Sequence, residues 1–191
     1  YIPWIFFTDV LTSGCNCLVE YSFLVKKIKF DVSIIPVIKL ISALFVHIFF
    51  IVFIMIMCLV YGYELSIFNI QALYYTFATG VLTLGLSWLL SAVTVFFKDM
   101  TSLVNVCVQI GFWVTPILWN EDTMVNESVK HALMLNPMHY IVNGYRNSFI
   151  FKKWFWETPQ ETIYFWVITL LILVIGRIVF KRLKPFFADE V

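Results

Sequence analysis

Leu40 to Val60 is a run of 21 residues without a formal charge, in which only Ser42 and His47 are polar. At ~1.5 Å per residue such a run makes a helix about 30 Å long, the thickness of the hydrocarbon core of a bilayer. Ala72 to Phe97 adds 26 uncharged residues and Leu103 to Trp119 a further 17, at the short limit for a span. Ile163 to Phe180 is apolar until Arg177, whose stem can snorkel to the interface. The polar minority that a soluble surface requires is missing. The chain is 61% hydrophobic and 13% charged, with twenty Phe, nine Tyr and seven Trp. That composition excludes an ordinary cytosolic enzyme, a disordered chain and a nucleic-acid binder. The expected fold is all-α: a polytopic transmembrane helical bundle, one domain over residues 1–191.

Two stretches need separate decisions. Tyr1 to Val25 is apolar and aromatic at its start but carries Asp9 and Glu20. It reads as the end of a span (1–19) running into an interfacial helix, with a purely amphipathic surface helix as the alternative. Within Asn120 to Gln160, Leu133 to Phe151 contains Asn136, Pro137, His139, Asn143 and Arg146. An Arg at the centre of a span costs ~2.5–3.5 kcal/mol on the insertion scale. Short re-entrant helices that dip into the interface and return fit residues 120–160 better than a crossing.

Basic residues set the orientation. Lys26, Lys27, Lys29 and Lys39 lie before the second apolar segment, Lys98 follows Phe97, and Lys181, Arg182 and Lys184 occupy the tail. These eight face one side, against Lys130, Arg146, Lys152 and Lys153 on the other, where Glu121, Asp122, Glu127, Glu157 and Glu161 offset them. The eight-residue side is expected to be cytoplasmic, with a cytoplasmic C-terminal tail. About five spans then start outside, so a six-span protein lacking its N-terminal segment is the expectation.

No catalytic set is visible. G-x-x-x-x-G-K-[ST] is absent from the sequence, so the chain has no P-loop of its own. His47, His131 and His139 are too dispersed for a local zinc motif, and no metal site is expected. His47 lies within a span and is a candidate proton relay or a hydrogen-bonding group to a neighbouring helix. Asn105 and Gln109, four apart, suit interhelical bonding. Cys15, Cys17, Cys58 and Cys107 lack C-x-x-C spacing and read as reduced packing residues.

Two segments carry more information. Between Glu20 and Asp31, apolar Phe23, Leu24, Ile28 and Phe30 interleave with Lys26, Lys27 and Lys29. Such a short amphipathic segment docks in a partner's groove or anchors on anionic lipid. On the other side, Asn136-Pro137 starts a turn with Pro137 as a first helical residue. Tyr140, Gly144 and Asn147 then fall near one face beside Tyr145 and Arg146, a surface suited to a sugar or phosphate, or to interfacial anchoring.

Four stretches together resemble the permease subunit of type-2 ABC exporters, in the branch that exports polysaccharides (O-antigen, capsule and teichoic acid). They are Leu24-Val-Lys-Lys-Ile-Lys-Phe30, Phe96-Phe-Lys-Asp99, Phe112-Trp-Val-Thr-Pro-Ile117 with Leu135-Asn-Pro-Met-His-Tyr-Ile-Val-Asn-Gly-Tyr-Arg-Asn147, and the tail Phe180-Lys-Arg-Leu-Lys-Pro-Phe-Phe-Ala-Asp189. The resemblance implies a multi-pass permease of the bacterial cytoplasmic membrane that moves a lipid-linked glycan outward. Two copies would pair and sit on two separate ATPase subunits, which bind the ATP and Mg; none is expected in this chain. It makes Phe23, Leu24, Lys26, Lys27, Ile28, Lys29 and Phe30 the coupling helix and Phe97, Lys98 and Asp99 an inner turn. Trp113, Pro116, Asn136, Pro137, Tyr140, Gly144, Tyr145, Arg146 and Asn147 become the external gate and substrate path. Asp31 stands where the family often has Pro, which shifts the end of the coupling helix. A drug or lipid exporter of the same architecture is the alternative, and a membrane-embedded lipid-modifying enzyme a remote one.

Overall fold

A computed structural model of the protein describes residues 1–26, 31–119 and 133–190. Its described residues form helices and turns. In chain order the helices are α1 (Ile2–Glu20), α2 (Ser22–Val25), α3 (Ile35–Val60), α4 (Gln71–Phe96), α5 (Met100–Val114), α6 (Pro137–Arg146), α7 (Pro159–Leu183) and α8 (Phe187–Glu190). Proline lies in the first turn of α1, α3, α6 and α7, where its missing N–H costs nothing.

Four helical stretches are long and apolar enough to cross a membrane: Ile2–Glu20, Val32–Val60, Ile67–Phe96 and Pro159–Phe186. The first of them is a full 19-residue helix. Helix α3 begins at Ile35, so Lys39 lies on the helix and not in the loop before it. The run 103–119 is helical only as far as Val114, 15 residues or about 22 Å, and the non-helical residues Thr115–Trp119 complete its path from the Phe97–Asp99 turn to α6, where Asn136 bonds Thr115. Pro116 ends the helix: it disfavours helical backbone at the residue before it, and Thr115 is extended at φ −78°, ψ 132°.

Helix α4 is the centre of the bundle and packs chiefly against α7 and α1, while α1 also meets α3 and α5. Its sequence explains that place. Thr76, Thr79, Thr83 and Thr94 donate their hydroxyls to the carbonyls of Ala72, Tyr75, Thr79 and Leu90, 2.7–2.8 Å away, so the polar groups are satisfied within the helix. Small residues then let the neighbours close in. A side chain at Gly85 would meet the Leu173 backbone at 2.8 Å, one at Gly176 the Gly85 carbonyl, and one at Gly14 the Ser87 side chain. The apolar window of α4 is 56% buried; that of α3 is 17% buried and turns Phe45, Phe49 and Phe53 outward. Lipid is the solvent for that face.

The bundle has two unlike ends. At one, Lys39 pairs with Glu20 and Lys184 with Asp31, each at 2.8 Å, and Phe187 packs on Phe96 and Phe180. At the other, α6 folds back over the ends of α1 and α4 amid Tyr74, Tyr75, Tyr140 and Phe155. We call these the basic and the aromatic end.

Candidate functional site

The aromatic end is assembled around α6. Asn136 caps it, its Oδ1 accepting from Met138 N at 3.0 Å while its Nδ2 donates to Thr115 Oγ1 at 2.8 Å. One side chain thus starts α6 and ties it to the kink that ends α5. Arg146, in the last turn, donates to the carbonyls of Ile117 (3.2 Å) and Trp119 (3.0 Å) and to Asn143 Oδ1 (3.3 Å). The chain from Thr115 to Trp119 is therefore held at both ends of α6.

Two networks, the first partly buried and the second buried, fix α6 to the spans. In the first, Trp166 Nε1–H donates to the Tyr74 hydroxyl at 2.8 Å, and Tyr140 lies 3.1 Å from both Tyr74 and Thr162. Thr162 Oγ1 ends the chain on the carbonyls of Phe155 and Thr158, at 3.0 Å each. In the second, His47 Nε2 lies 2.8 Å from the Tyr145 hydroxyl, which is 2.8 Å from Thr76 Oγ1, itself bonded to Ala72 O at 2.7 Å. Nδ1 of His47 has no partner among the described residues, which assigns the single N–H to Nε2, since a bare acceptor costs less than a bare donor. Proton donation then runs from His47 to Tyr145, Thr76 and Ala72. The imidazole also stacks on Phe6 at 4.4 Å. The partners of His47 are the hydroxyls of Tyr145 and Thr76, not a carbonyl of a neighbouring helix.

Gly144 allows α6 to lie this close, since a Cβ there would enter the Tyr75 ring. Beyond α6 the helix widens into a π-helical turn over Asn147–Phe151, closed by Lys152 at φ 54°. Gln71 at the start of α4 clamps the following loop, donating to Lys153 O at 2.9 Å and accepting from Phe155 N at 2.8 Å. Asn69 likewise donates to Ser148 O at 3.2 Å.

Five of the predicted gate residues divide into two groups. Tyr140, Gly144 and Tyr145 are buried against α4, with both hydroxyls bonded inside the protein. Arg146 and Asn147 line a cavity of about 480 Å³ with Asn143, Lys153, Glu161 and Trp119. A second cavity of about 470 Å³, more apolar, is also lined by Arg146, with Tyr63, Tyr145 and Phe149. Pro116 is buried and Trp113 is 72% exposed on α5. Sequence reasoning missed the partners on the spans: Asn69, Gln71, Tyr74, Thr76, Thr162 and Trp166. Polar side chains at the ends of otherwise apolar runs were the available signal.

At the basic end, α2 is one helical turn in which Phe23 is exposed and Val25 buried. Leu24 packs on the cluster of Trp88, Phe180 and Phe187. Lys26 is exposed; Lys27, Ile28, Lys29 and Phe30 lie outside the described residues, as does the 120–132 part of the external region. Asp31 accepts from Lys184 Nζ at 2.8 Å and from Ser33 N at 3.1 Å, which joins the turn before α3 to the tail. Those bonds, the Lys184 bond foremost, hold the Asp31 carboxyl down at about 2. Phe97, Lys98 and Asp99 are exposed at the same end. Asn105 and Gln109 are exposed on α5 with no bond among the described residues.

Four helices long and apolar enough to cross a membrane define an integral membrane protein. The chain belongs to the ABC-2 type transporter family, which matches residues 1–150. It is similar to the O-antigen export system permease protein RfbA of Myxococcus xanthus, 21% identical over 100% of this chain and 73% of the relative. Two RfbA proteins of Klebsiella pneumoniae are each 25% identical over 98% of this chain and 71% of their own length.

Proposed function

We propose that this chain is the permease subunit of an ATP-driven exporter that carries a lipid-linked polysaccharide of O-antigen type across the bacterial cytoplasmic membrane. The observation that carries the reading is the similarity to three O-antigen export permeases along 98–100% of the chain. The basic end faces the cytoplasm on this reading, in line with the positive-inside rule. Two copies pair, and two separate ATPase subunits bind ATP and Mg. The exposed Ser102, Asn105 and Gln109 along α5 support the pairing, because polar side chains on a span prefer protein or water to lipid.

The geometry suggests how a push is carried. Helix α2 touches α8, and Asp31 is bonded to Lys184, so force on the Ser22–Asp31 segment reaches the end of α7. Helix α7 is locked to α4 at Gly85 and Gly176, and α4 carries α6 through Tyr74, Tyr75 and Thr76. Closure of the ATPases thereby rocks the outer helix as a rigid part of the bundle, and the glycan advances past the cavities beside Arg146.

The test is Phe23→Asp in the exposed part of the coupling turn. Glycan export and permease-stimulated ATPase activity are expected to fall at least about tenfold, with membrane insertion unchanged. Export at the unsubstituted rate would overturn the coupling role. Export of an unrelated lipid in place of the glycan would overturn the cargo.

A further inference from the structure

Arg177 is the feature that neither the coupling turn nor the outer site uses. Glu161 and Lys181 stand 20 residues apart on α7, about 30 Å, so Arg177 lies one turn, roughly 6 Å, inside the apolar slab. Its guanidinium lies over the Trp88 ring, 5.2 Å from the centroid, and makes no hydrogen bond among the described residues. Five N–H donors at that depth need acceptors, because the hydrocarbon offers none.

The space beside it is a recess of about 240 Å³ lined by Arg177, Lys181, Lys184, Trp88, Ser33 and Asp31. The three cations recur at i, i+4 and i+7, which puts them on one face of the α7 end. Asp31 neutralises Lys184 at 2.8 Å, and Trp88 spends its N–H on Ser33 O at 3.1 Å. Lys181, like Arg177, has no anionic partner among the described residues, so the recess keeps two unmatched positive charges, one at the edge of the apolar slab and one a turn inside it, within snorkelling reach of the headgroups.

We propose that this recess binds the phosphate of an anionic phospholipid. Arg177 and Lys181 hold the headgroup oxygens, the Trp88 ring supports the guanidinium, and the acyl chains lie along the outward face of α7. The bound lipid would bridge α7 to the turn that leads out of the coupling segment. The inference concerns the membrane and not the cargo, so it stands apart from the proposed export function.

Native mass spectrometry of the delipidated full transporter, titrated with phosphatidylglycerol or phosphatidylcholine, tests it. Phosphatidylglycerol is expected to be retained over phosphatidylcholine. Arg177→Gln and Lys181→Gln should each weaken that retention about fivefold, and Arg182→Gln, a neighbouring cation outside the recess, should not. Asp31→Asn removes the one carboxylate in the recess and should raise retention severalfold, a gain that misfolding would not produce. Equal retention of the two lipids, equal loss in Arg182→Gln, or no gain in Asp31→Asn would overturn the site. Displacement of the lipid by millimolar inorganic phosphate would overturn the lipid as its occupant.

Discussion

The two ends of the bundle are held by different physics. Besides the bonds of Arg146, the aromatic end is fastened by neutral groups in buried and partly buried networks, in which a hydroxyl, an indole or an imidazole passes each donor to the next acceptor. The basic end is fastened by ion pairs whose partners are partly exposed, Lys184 and Asp31 at 40% and 57% of their side-chain surface. Buried neutral networks are geometrically strict, because a missing partner leaves a desolvated group behind. Exposed ion pairs re-form with water or another charge at little cost. The difference suits a lever: one end accepts displacement, and the other delivers it without deforming.

The comparison breaks most sharply at Gly144. Any Cβ there would occupy the Tyr75 ring, so α6 would have to lift off α4. Gly144→Ala is expected to cost more than about 3 kcal/mol, seen as a large fall in thermal midpoint and loss of a monodisperse peak by size exclusion. Gly80→Ala is the matched control on a span, where the nearest neighbour, Leu40 Cδ1, is 3.8 Å away. It should leave the midpoint unchanged.

A milder break removes one atom from a network. Tyr145→Phe removes the 2.8 Å partner of His47 Nε2–H and leaves it Thr76 Oγ1 at 3.1 Å. A loss of about 1 kcal/mol is expected, in the range of hydrogen bonds between membrane helices. A cycle with His47→Leu should return a coupling energy of about 0.5–1 kcal/mol; additive losses would show that the two side chains do not act as a unit.

Much of this arrangement was legible in the chain alone, for reasons that differ by region. A span announces itself by excluding charge, so the runs that became α3, α4 and α7 stood out. Pro137 and Asn136 signalled the start of α6 by local stereochemistry. The length of α5 was misjudged because an apolar count ignored what Pro116 does to Thr115. Tyr140 and Tyr145 looked like surface residues for recognition because helical spacing names a face and not its neighbours. Which face is buried was decided by Gly144 and by Thr76 and Tyr74, about 70 residues earlier in the sequence. No local pattern encodes that pairing. The join of Asp31 to Lys184, 153 residues apart, was hidden for the same reason.

The smallest effect separates the two ends most cleanly. Asp31→Asn should cost at most about 1 kcal/mol at neutral pH, since its partner is an exposed lysine. The folded carboxyl sits at about 2, below the ~3.9 of a free aspartate, so its ionised form is the one the fold favours. A depressed carboxylate contributes stability that is fully present above ~3.9 and is lost as pH falls towards 2. The gap in thermal midpoint between the unsubstituted protein and Asp31→Asn should therefore hold from pH 7 to about pH 5, narrow below 4, and close near 2. It should also shrink as ionic strength rises from roughly 0.05 to 0.5 M, where screening shortens to a few ångströms. The gap produced by Tyr145→Phe joins neutral, buried groups and should not respond to salt. If both gaps shrank alike, the contrast between a yielding basic end and a rigid aromatic end would fail, and with it the reason for placing the moving contact at α2.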